Sequence, residues 1–195
     1  AYCMDSGKTI FYYFGFGSNL LKARIQIQNP SAKFITIGRL LDYKLAFYGH
    51  SNRWHGAIAT IDRSQGDCVF GAIWAIPTDE MANLDRQECA PQLYRPTAVT
   101  INGFIKSEHL PFVCRTYVLN ETVTGLPSPF YLDVILRGAC ECGLPLEYIK
   151  RLQAIKHNGH FENCKLYTEI LLKLPVSKRT SFQIKELEEC VTGMA

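Results

Sequence analysis

Residues 14–20 of the chain (Phe-Gly-Phe-Gly-Ser-Asn-Leu) have the residue types and the order of an anion-binding turn. The apolar residues 10–13 before it predict a buried strand. Residues 20–25 after it have helical character, with Ser18 or Asn19 as the helix N-cap. The two glycines allow a tight turn, and a helix that begins there presents unpaired N–H groups and its positive end. We therefore expect this turn to bind a carboxylate or a phosphate. The turn alone does not identify the reaction.

The elements that must position this turn are strands in the first part of the chain and helices in the second. Segments rich in β-formers and bounded by turn residues predict strands at 34–40, 43–48, 56–61, 69–76, 94–102 and 112–119. Residues 64–67 predict a hairpin loop, and Thr78 predicts the N-cap of a helix that ends near Cys89. The Pro-Ser-Pro sequence at 127–129 predicts the start of a helix at 131–140, and apolar spacing predicts helices at 146–155 and 162–174, with a last amphipathic segment at 182–191. This order predicts one α+β domain with a strongly curved or closed sheet.

Composition sets outer limits on size and partners. The chain has 195 residues, of which 47% are hydrophobic and 20% charged, as expected for one globular domain with a sizeable core. Its net charge of +3 is small and its basic residues are dispersed, so we expect no nucleic-acid partner. No apolar run approaches the length that crosses a bilayer, so we expect no membrane association.

The cysteines predict a secreted protein. There are eight of them, an even number spread from end to end, at positions 3, 68, 89, 114, 140, 142, 164 and 190. This pattern favours a disulfide framework in an oxidising compartment, with the pairing left open. The chain begins with Ala1, as a secreted protein would after its signal peptide is removed, and Asn120 opens a glycosylation sequon. Metal-type pairs such as Cys-x-x-Cys are absent from the sequence, so we expect no zinc site.

A set of motifs in a fixed order supports a resemblance to a known family. The motifs are Phe-Gly-Ser-Asn-Leu at 16–20, Asn-Pro-Ser-Ala at 29–32, Asp-Tyr-Lys-Leu at 42–45, Trp-His-Gly-Ala-Ile-Ala-Thr-Ile at 54–61, Leu-Asp-Arg-Gln-Glu at 84–88, Pro-Ser-Pro at 127–129 and Gly-Leu-Pro-Leu-Glu-Tyr at 143–148. Together they resemble the γ-glutamylcyclotransferases, and most closely the animal ones. The resemblance covers about residues 11–155. It implies one domain over residues 1–195, a curved mixed sheet or barrel with surrounding helices, and a C-terminal helical extension at 156–195.

The resemblance implies that a small γ-glutamyl amino acid is converted to 5-oxoproline and the free amino acid. The α-amine of the substrate attacks its own γ-carbonyl and closes a five-membered lactam, so neither a protein nucleophile nor a cofactor is needed. The protein must hold the amine against the carbonyl. It must also move protons, because an ammonium cannot attack and an amide nitrogen leaves poorly until it is protonated.

The resemblance also implies the residues of the site. Glu88 matches the catalytic glutamate of the family, which takes a proton from the α-ammonium and returns it to the departing amine. A partly apolar setting that raises its pKa would suit this role. The residues implied in substrate binding are Phe16, Gly17, Ser18, Asn19, Leu20, Tyr94, Tyr117 and Tyr131. Phe16 departs from the tyrosine that is usual in the family, and the substitution deletes a hydroxyl group.

Other readings remain at this point. Without the other motifs, Glu88 would be interpreted as an exposed acid at a helix end. Cys89 beside it could be a catalytic nucleophile, but no pattern of His or Asn residues supports that hypothesis. A secreted binding or effector protein on the same fold is the main alternative to an enzyme. Cyclotransfer from γ-glutamyl amines such as γ-glutamyl-ε-lysine is another. A homodimer and an extracellular macromolecular partner are left open.

Overall fold

The structure is a computed structural model that describes residues 3–5, 7–105 and 108–179 of the chain. Its six strands are β1 (Cys3–Asp5), β2 (Lys8–Gly15), β3 (Lys33–Ser51), β4 (Gly56–Pro77), β5 (Tyr94–Ile105) and β6 (Glu108–Leu119). Its α-helices are α1 (Lys22–Ile25), α2 (Met81–Gln87), α3 (Pro129–Cys142), α4 (Leu146–Gln153) and α5 (Lys165–Lys173), with 3₁₀ turns at Ser18–Leu20, Thr78–Glu80 and Val176–Lys178. None of the helices in the described ranges is long and apolar enough to cross a membrane. The amphipathic segment predicted at 182–191 lies outside the described residues.

The sheet closes on itself. The strand order is β1-β2-β4-β3-β5-β6, and β2 also pairs with β6, with Tyr12 opposite Cys114 and Tyr13 opposite Arg115. The β2–β6 pairing is parallel and the other described pairings are antiparallel. Strands β2, β4, β3, β5 and β6 therefore form a closed barrel to which β1 is added on β2. The predicted α+β class with a curved mixed sheet or barrel and surrounding helices is confirmed.

The longest strands, β3 and β4, each join two segments that the sequence predicts as separate strands. Leu41 pairs with Cys68 and Tyr43 pairs with Arg63, so residues 64–67 protrude from β4 opposite Asp42. The predicted hairpin loop at 64–67 is wrong, because the segments on both sides of it pair with the same continuous strand β3 rather than with each other.

Helix α3 supports the turn that follows β2. It begins after Ser128, whose hydroxyl accepts a hydrogen bond from the Tyr131 N–H at 3.2 Å, and Pro129 occupies its first turn. Farther along the helix, a Cβ on Gly138 would overlap the backbone of Leu20. Glycine at this position therefore lets α3 lie directly against the turn. The hydrogen bond at the start of the helix fixes the backbone position of Tyr131.

The described cysteines form no disulfide. Six cysteine side chains are described, at positions 68, 89, 114, 140, 142 and 164, and none is bridged. The Cys142 thiol donates to the Leu20 carbonyl and the Cys164 thiol to the Arg53 carbonyl, both at 3.2 Å. Burial raises the pKa of the Cys114 thiol to about 12. The predicted disulfide framework is wrong for these six. Cys68 and Cys114 lie in barrel strands, Cys89 follows α2 and Cys164 precedes α5, while Cys140 and Cys142 are two positions apart on α3 and so do not face each other.

Candidate active site

A narrow cavity brings the sequence-predicted site residues together. Its volume is about 30 Å³, which is room for one or two water molecules. It is lined by Tyr13, Phe16, Gly17, Ser18, Asn19, Ala59, Glu88, Tyr94, Tyr117 and Tyr131. Every predicted site residue except Leu20 lies on this lining. The lining residues come from β2 and the turn after it, from β4, β5 and β6, from the end of α2 and from the start of α3.

The protein holds the Glu88 carboxyl group through one of its two oxygen atoms. Helix α2 ends at Gln87, and the Glu88 N–H still donates to the Leu84 carbonyl at 3.0 Å, so the helix directs the side chain into the cavity. Its Oε1 accepts hydrogen bonds from Asn19 Nδ2 at 2.9 Å and from Gln87 Nε2 at 3.1 Å. Oε2 has no hydrogen-bond partner among the described residues, so it can accept a proton from a bound molecule.

The protein environment makes Glu88 a better base than an exposed glutamate. The residue keeps some exposed area, but its carboxyl group is surrounded by protein. Burial raises the pKa of this carboxyl. The positive charges of Arg24 and Arg53 and the hydrogen bonds from Gln87 and Asn19 partly oppose that rise. The net shift is upward, towards the range that suits proton transfer near neutral pH.

The turn after β2 differs from the predicted helix start. Residues Ser18–Leu20 form a single 3₁₀ turn, and neither Ser18 nor Asn19 caps a helix. The prediction of an N-cap is wrong, because the Asn19 side chain turns to Glu88 and to the Tyr13 hydroxyl instead. So short a turn has no appreciable dipole. Its capacity to bind an anion therefore rests on the N–H groups of Ser18 and Asn19, which have no acceptor in the described part of the chain.

Leu20 contributes to the turn rather than to the cavity surface. Its side chain is fully buried, and its N–H donates to the Gly17 carbonyl at 3.0 Å. It is therefore not available as a donor to a ligand. Phe16 lies on the lining, with its ring 6.2 Å from the ring of Phe14 and 6% exposed, so it packs as an apolar wall of the cavity.

The three predicted tyrosines differ in whether their hydroxyl proton is already used. Tyr94 donates to the Ala59 carbonyl at 2.9 Å. Tyr117 donates to Asp85 and accepts from Arg115 Nε at 3.0 Å. Tyr131 instead accepts a hydrogen bond from the Ala59 N–H at 3.0 Å, and its hydroxyl also pairs with the side-chain hydroxyl of Ser18. Two paired hydroxyls use only one of their two protons between them, so Tyr131 and Ser18 together keep one proton for a bound molecule.

Sequence reasoning gave no role to Arg24, Tyr13, Gln87 or Asp85. Arg24 is 4% exposed, and its Nε and Nη1 lack partners in the described residues. Its charge acts on Glu88, Tyr13 and Tyr131, so it lies beside the cavity. The sequence feature that could have indicated a role for Arg24 is its position within the mostly apolar segment 20–25. Asp85 binds Arg115 at 2.7 Å, and this ion pair holds α2 against β6.

Comparisons with known proteins identify relatives of this chain. Residues 68–152 match the model of the AIG2-like family. The chain is 43% identical over 155 residues to the γ-glutamylcyclotransferase of Bos taurus, a match that covers 77% of this chain and 81% of the bovine protein. The chain belongs to the γ-glutamylcyclotransferase family. Its identity to the γ-glutamylcyclotransferase of Mus musculus is 39% over 179 residues, with 89% of this chain and 93% of the mouse protein covered.

A solved structure extends the family match to the fold. A γ-glutamyl cyclotransferase superposes with a TM-score of 0.76 at 34% identity, over 94% of this chain and 99% of that one. The resemblance to γ-glutamylcyclotransferases is therefore confirmed beyond the motif region. Neither the non-catalytic effector nor the γ-glutamyl amine alternative gains support from these relatives.

Proposed function

We propose that this protein is a lyase that converts γ-glutamyl amino acids into 5-oxoproline and the free amino acid. The observation that carries the proposal is the Glu88 carboxyl in the cavity, with Oε1 fixed by two side-chain amides and Oε2 open. A buried carboxyl with one free oxygen is suited to remove a proton from a substrate ammonium and to return it within the same site.

Each bond change in this reaction can be assigned to atoms of the site. Glu88 Oε2 takes a proton from the α-ammonium, and the resulting amine forms a bond to the γ-carbon. The γ-carbonyl oxygen becomes negatively charged, and the N–H groups of Ser18 and Asn19, with the one spare proton of the Ser18–Tyr131 hydroxyl pair, can stabilise it. Protonated Glu88 then gives its proton to the departing nitrogen, and the amide C–N bond breaks as the carbonyl forms again. The ring nitrogen loses its second proton through the ionised Glu88 to the released amine, which leaves a neutral lactam.

The test uses purified full-length protein with γ-glutamyl-L-alanine, and measures 5-oxoproline and alanine together. We expect both products in equal amounts from the parent, and a loss of about 10²–10⁴ in kcat for Glu88→Gln. Glu147→Gln is the matched control, because Glu147 is exposed on α4 and lies outside the cavity. No 5-oxoproline from the folded parent, or equal rates for Glu88→Gln and Glu147→Gln, would refute the proposal.

The secreted location stays a prediction, as do the homodimer and the extracellular partner. Alkylation of the protein in denaturant without reduction, followed by mass measurement, counts the thiols. Two unmodified cysteines would match a single disulfide between Cys3 and Cys190, whose side chains lie outside the described residues. Eight alkylated cysteines would remove the disulfide argument for secretion.

A further inference from the structure

A second cavity, much larger than the catalytic one, opens beside the loop that joins β3 to β4. Its volume is about 390 Å³. It lies between residues 52–55 of that loop and the start of α5. We call it the basic cleft, and its polar lining consists of Asn52, Arg53, His55, Asn163, Lys165 and Glu169. Trp54 and His55 of this loop, and Gly56 directly after it, belong to one of the ordered motifs, and the proposed function uses none of the three.

The basic cleft contains positive charge that the protein does not neutralise. Arg53 and Lys165 line it, and neither forms an ion pair with any residue of the described ranges. The single acid on the lining is Glu169. His55 Nδ1 is shielded from solvent and has no hydrogen-bond partner in the described chain. Two unpaired cations and an unpaired ring nitrogen around one cavity fit an anionic group.

The loop that lines the basic cleft packs against Tyr131, a residue that lines the catalytic cavity. The residue after Arg53 is Trp54, whose ring lies 4.8 Å from the ring of Tyr131. The Arg53 charge lowers the pKa of Glu88, which places it within electrostatic reach of the reacting groups. The Cys164 thiol donates to the Arg53 carbonyl at 3.2 Å and ties the start of α5 to the same loop.

The size of the catalytic cavity requires a separate place for part of the substrate. At about 30 Å³ it must widen even to admit the γ-glutamyl group, so the leaving amino acid has to lie outside it. The carboxylate of that amino acid is separated from the scissile bond by a single carbon atom. It must therefore be held close to the catalytic cavity, on the side from which the leaving group departs.

We propose that the basic cleft is the leaving-group subsite, in which Arg53 and Lys165 bind the carboxylate of the departing amino acid. This inference rests on the proposed function and adds the residues that select the leaving group. The enzyme would select γ-glutamyl compounds whose leaving amine carries an adjacent carboxylate. Analogues in which that carboxylate is neutral would leave the two cations unpaired.

The experiment compares γ-glutamyl-L-alanine with γ-glutamyl-L-alaninamide, which differs only in that the leaving carboxylate is neutral. For the parent we expect kcat/KM to be about tenfold higher for the acid than for the amide, the effect of a charge-assisted hydrogen bond at a partly exposed site. In the double variant Arg53→Gln/Lys165→Gln this ratio should fall to about one. The loss should appear mainly in KM, because these contacts exist before the chemical step.

The ratio of kcat/KM for the acid to kcat/KM for the amide distinguishes loss of the subsite from other effects of the substitutions. Loss of the Arg53 charge also acts on Glu88, but equally for both substrates, so it cancels in the ratio. Arg63→Gln is the control, because Arg63 is an exposed arginine stacked on Tyr43, away from both cavities. A double variant that keeps the parent's ratio, or a parent that does not discriminate, would overturn the inference while turnover itself upholds the proposed function. No 5-oxoproline from either substrate would refute both.

Discussion

Asn19 donates a side-chain hydrogen bond to Glu88 Oε1 at 2.9 Å, although the two residues are 69 positions apart in the chain. The same amide nitrogen lies 2.9 Å from the Tyr13 hydroxyl, and Asn19 Oδ1 accepts from Gln87 Nε2 at 3.0 Å. The anion-binding turn and the proton-transfer residue therefore belong to one hydrogen-bond network. The turn thus positions the base as well as offering its own N–H groups to a ligand.

Replacement of Asn19 by leucine tests this network. The variant removes a hydrogen bond to a charged carboxylate, a contact typically worth about 1.5–3 kcal/mol. We expect kcat to fall by about tenfold to a hundredfold, with KM changed much less. Because the lost bond also lowered the pKa of Glu88, the acid limb of the pH–rate profile should move to higher pH. A variant with normal thermal unfolding, normal kcat and an unchanged limb would show that Asn19 does not position Glu88.

Tyr131→Phe and Tyr94→Phe should have different effects. The Tyr131 hydroxyl is paired with the Ser18 hydroxyl, and this pair keeps one proton for a bound molecule, whereas Tyr94 donates its proton to the Ala59 carbonyl. We expect kcat/KM for γ-glutamyl-L-alanine to fall at least about tenfold in Tyr131→Phe, and less than about threefold in Tyr94→Phe. The Tyr94 variant should instead lose about 1 kcal/mol of unfolding free energy in urea titrations. The reverse order of kcat/KM would assign the donor role to Tyr94.

Arg24→Met should shift the pH dependence of catalysis. The Arg24 charge lowers the pKa of Glu88, so its removal raises that pKa further. Glu88 acts as a base only when it is ionised, so the acid limb of log(kcat/KM) against pH should move to higher pH. Well above the limb the rates should approach those of the parent. Arg63→Met, which removes an exposed charge, is expected to leave the limb in place.

The same substitution should increase stability. A buried guanidinium with two unpartnered nitrogens is costly to desolvate, and burial lowers its pKa. A methionine of similar length removes this cost, so we expect a higher free energy of unfolding for Arg24→Met at neutral pH. A destabilised variant would mean that the guanidinium has partners that balance its burial.

Cys89→Gly should keep full activity. Cys89 has a φ of 49°, a left-handed conformation in which a side chain is strained and glycine is not. It is exposed and does not line the catalytic cavity. We expect unchanged kcat and a gain of about 0.5–1 kcal/mol in unfolding free energy. Cys89→Ala should also keep its activity but without that gain. If both variants were inactive, the result would support Cys89 as a catalytic nucleophile.

Much of the fold could be predicted from local patterns. Alternation and turn residues located the strands, the Pro-Ser-Pro sequence at 127–129 located the start of α3, and apolar spacing located α4 and α5, because burial on one face imposes a period on the sequence. The continuity of β3 and β4 could not be predicted. It depends on which strand pairs with which, and Ser64 to Asp67 have the composition of a hairpin loop whether or not the flanking segments pair with each other.

By itself the sequence determined the chemical inventory of the site: a glycine-rich turn after a strand, and a glutamate and tyrosines within an ordered set of motifs. The tertiary structure decided what each of these groups is free to do. Asn19 supports Glu88 rather than capping a helix, and Tyr131 shares its hydroxyl hydrogen bond with Ser18 whereas Tyr117 donates to the Asp85 carboxylate. The physical reason is that a hydrogen bond depends on distance and direction in space. Residues that are far apart in the chain either accept one another's hydrogen-bond donors or leave them available to a ligand. A local sequence pattern does not contain that information.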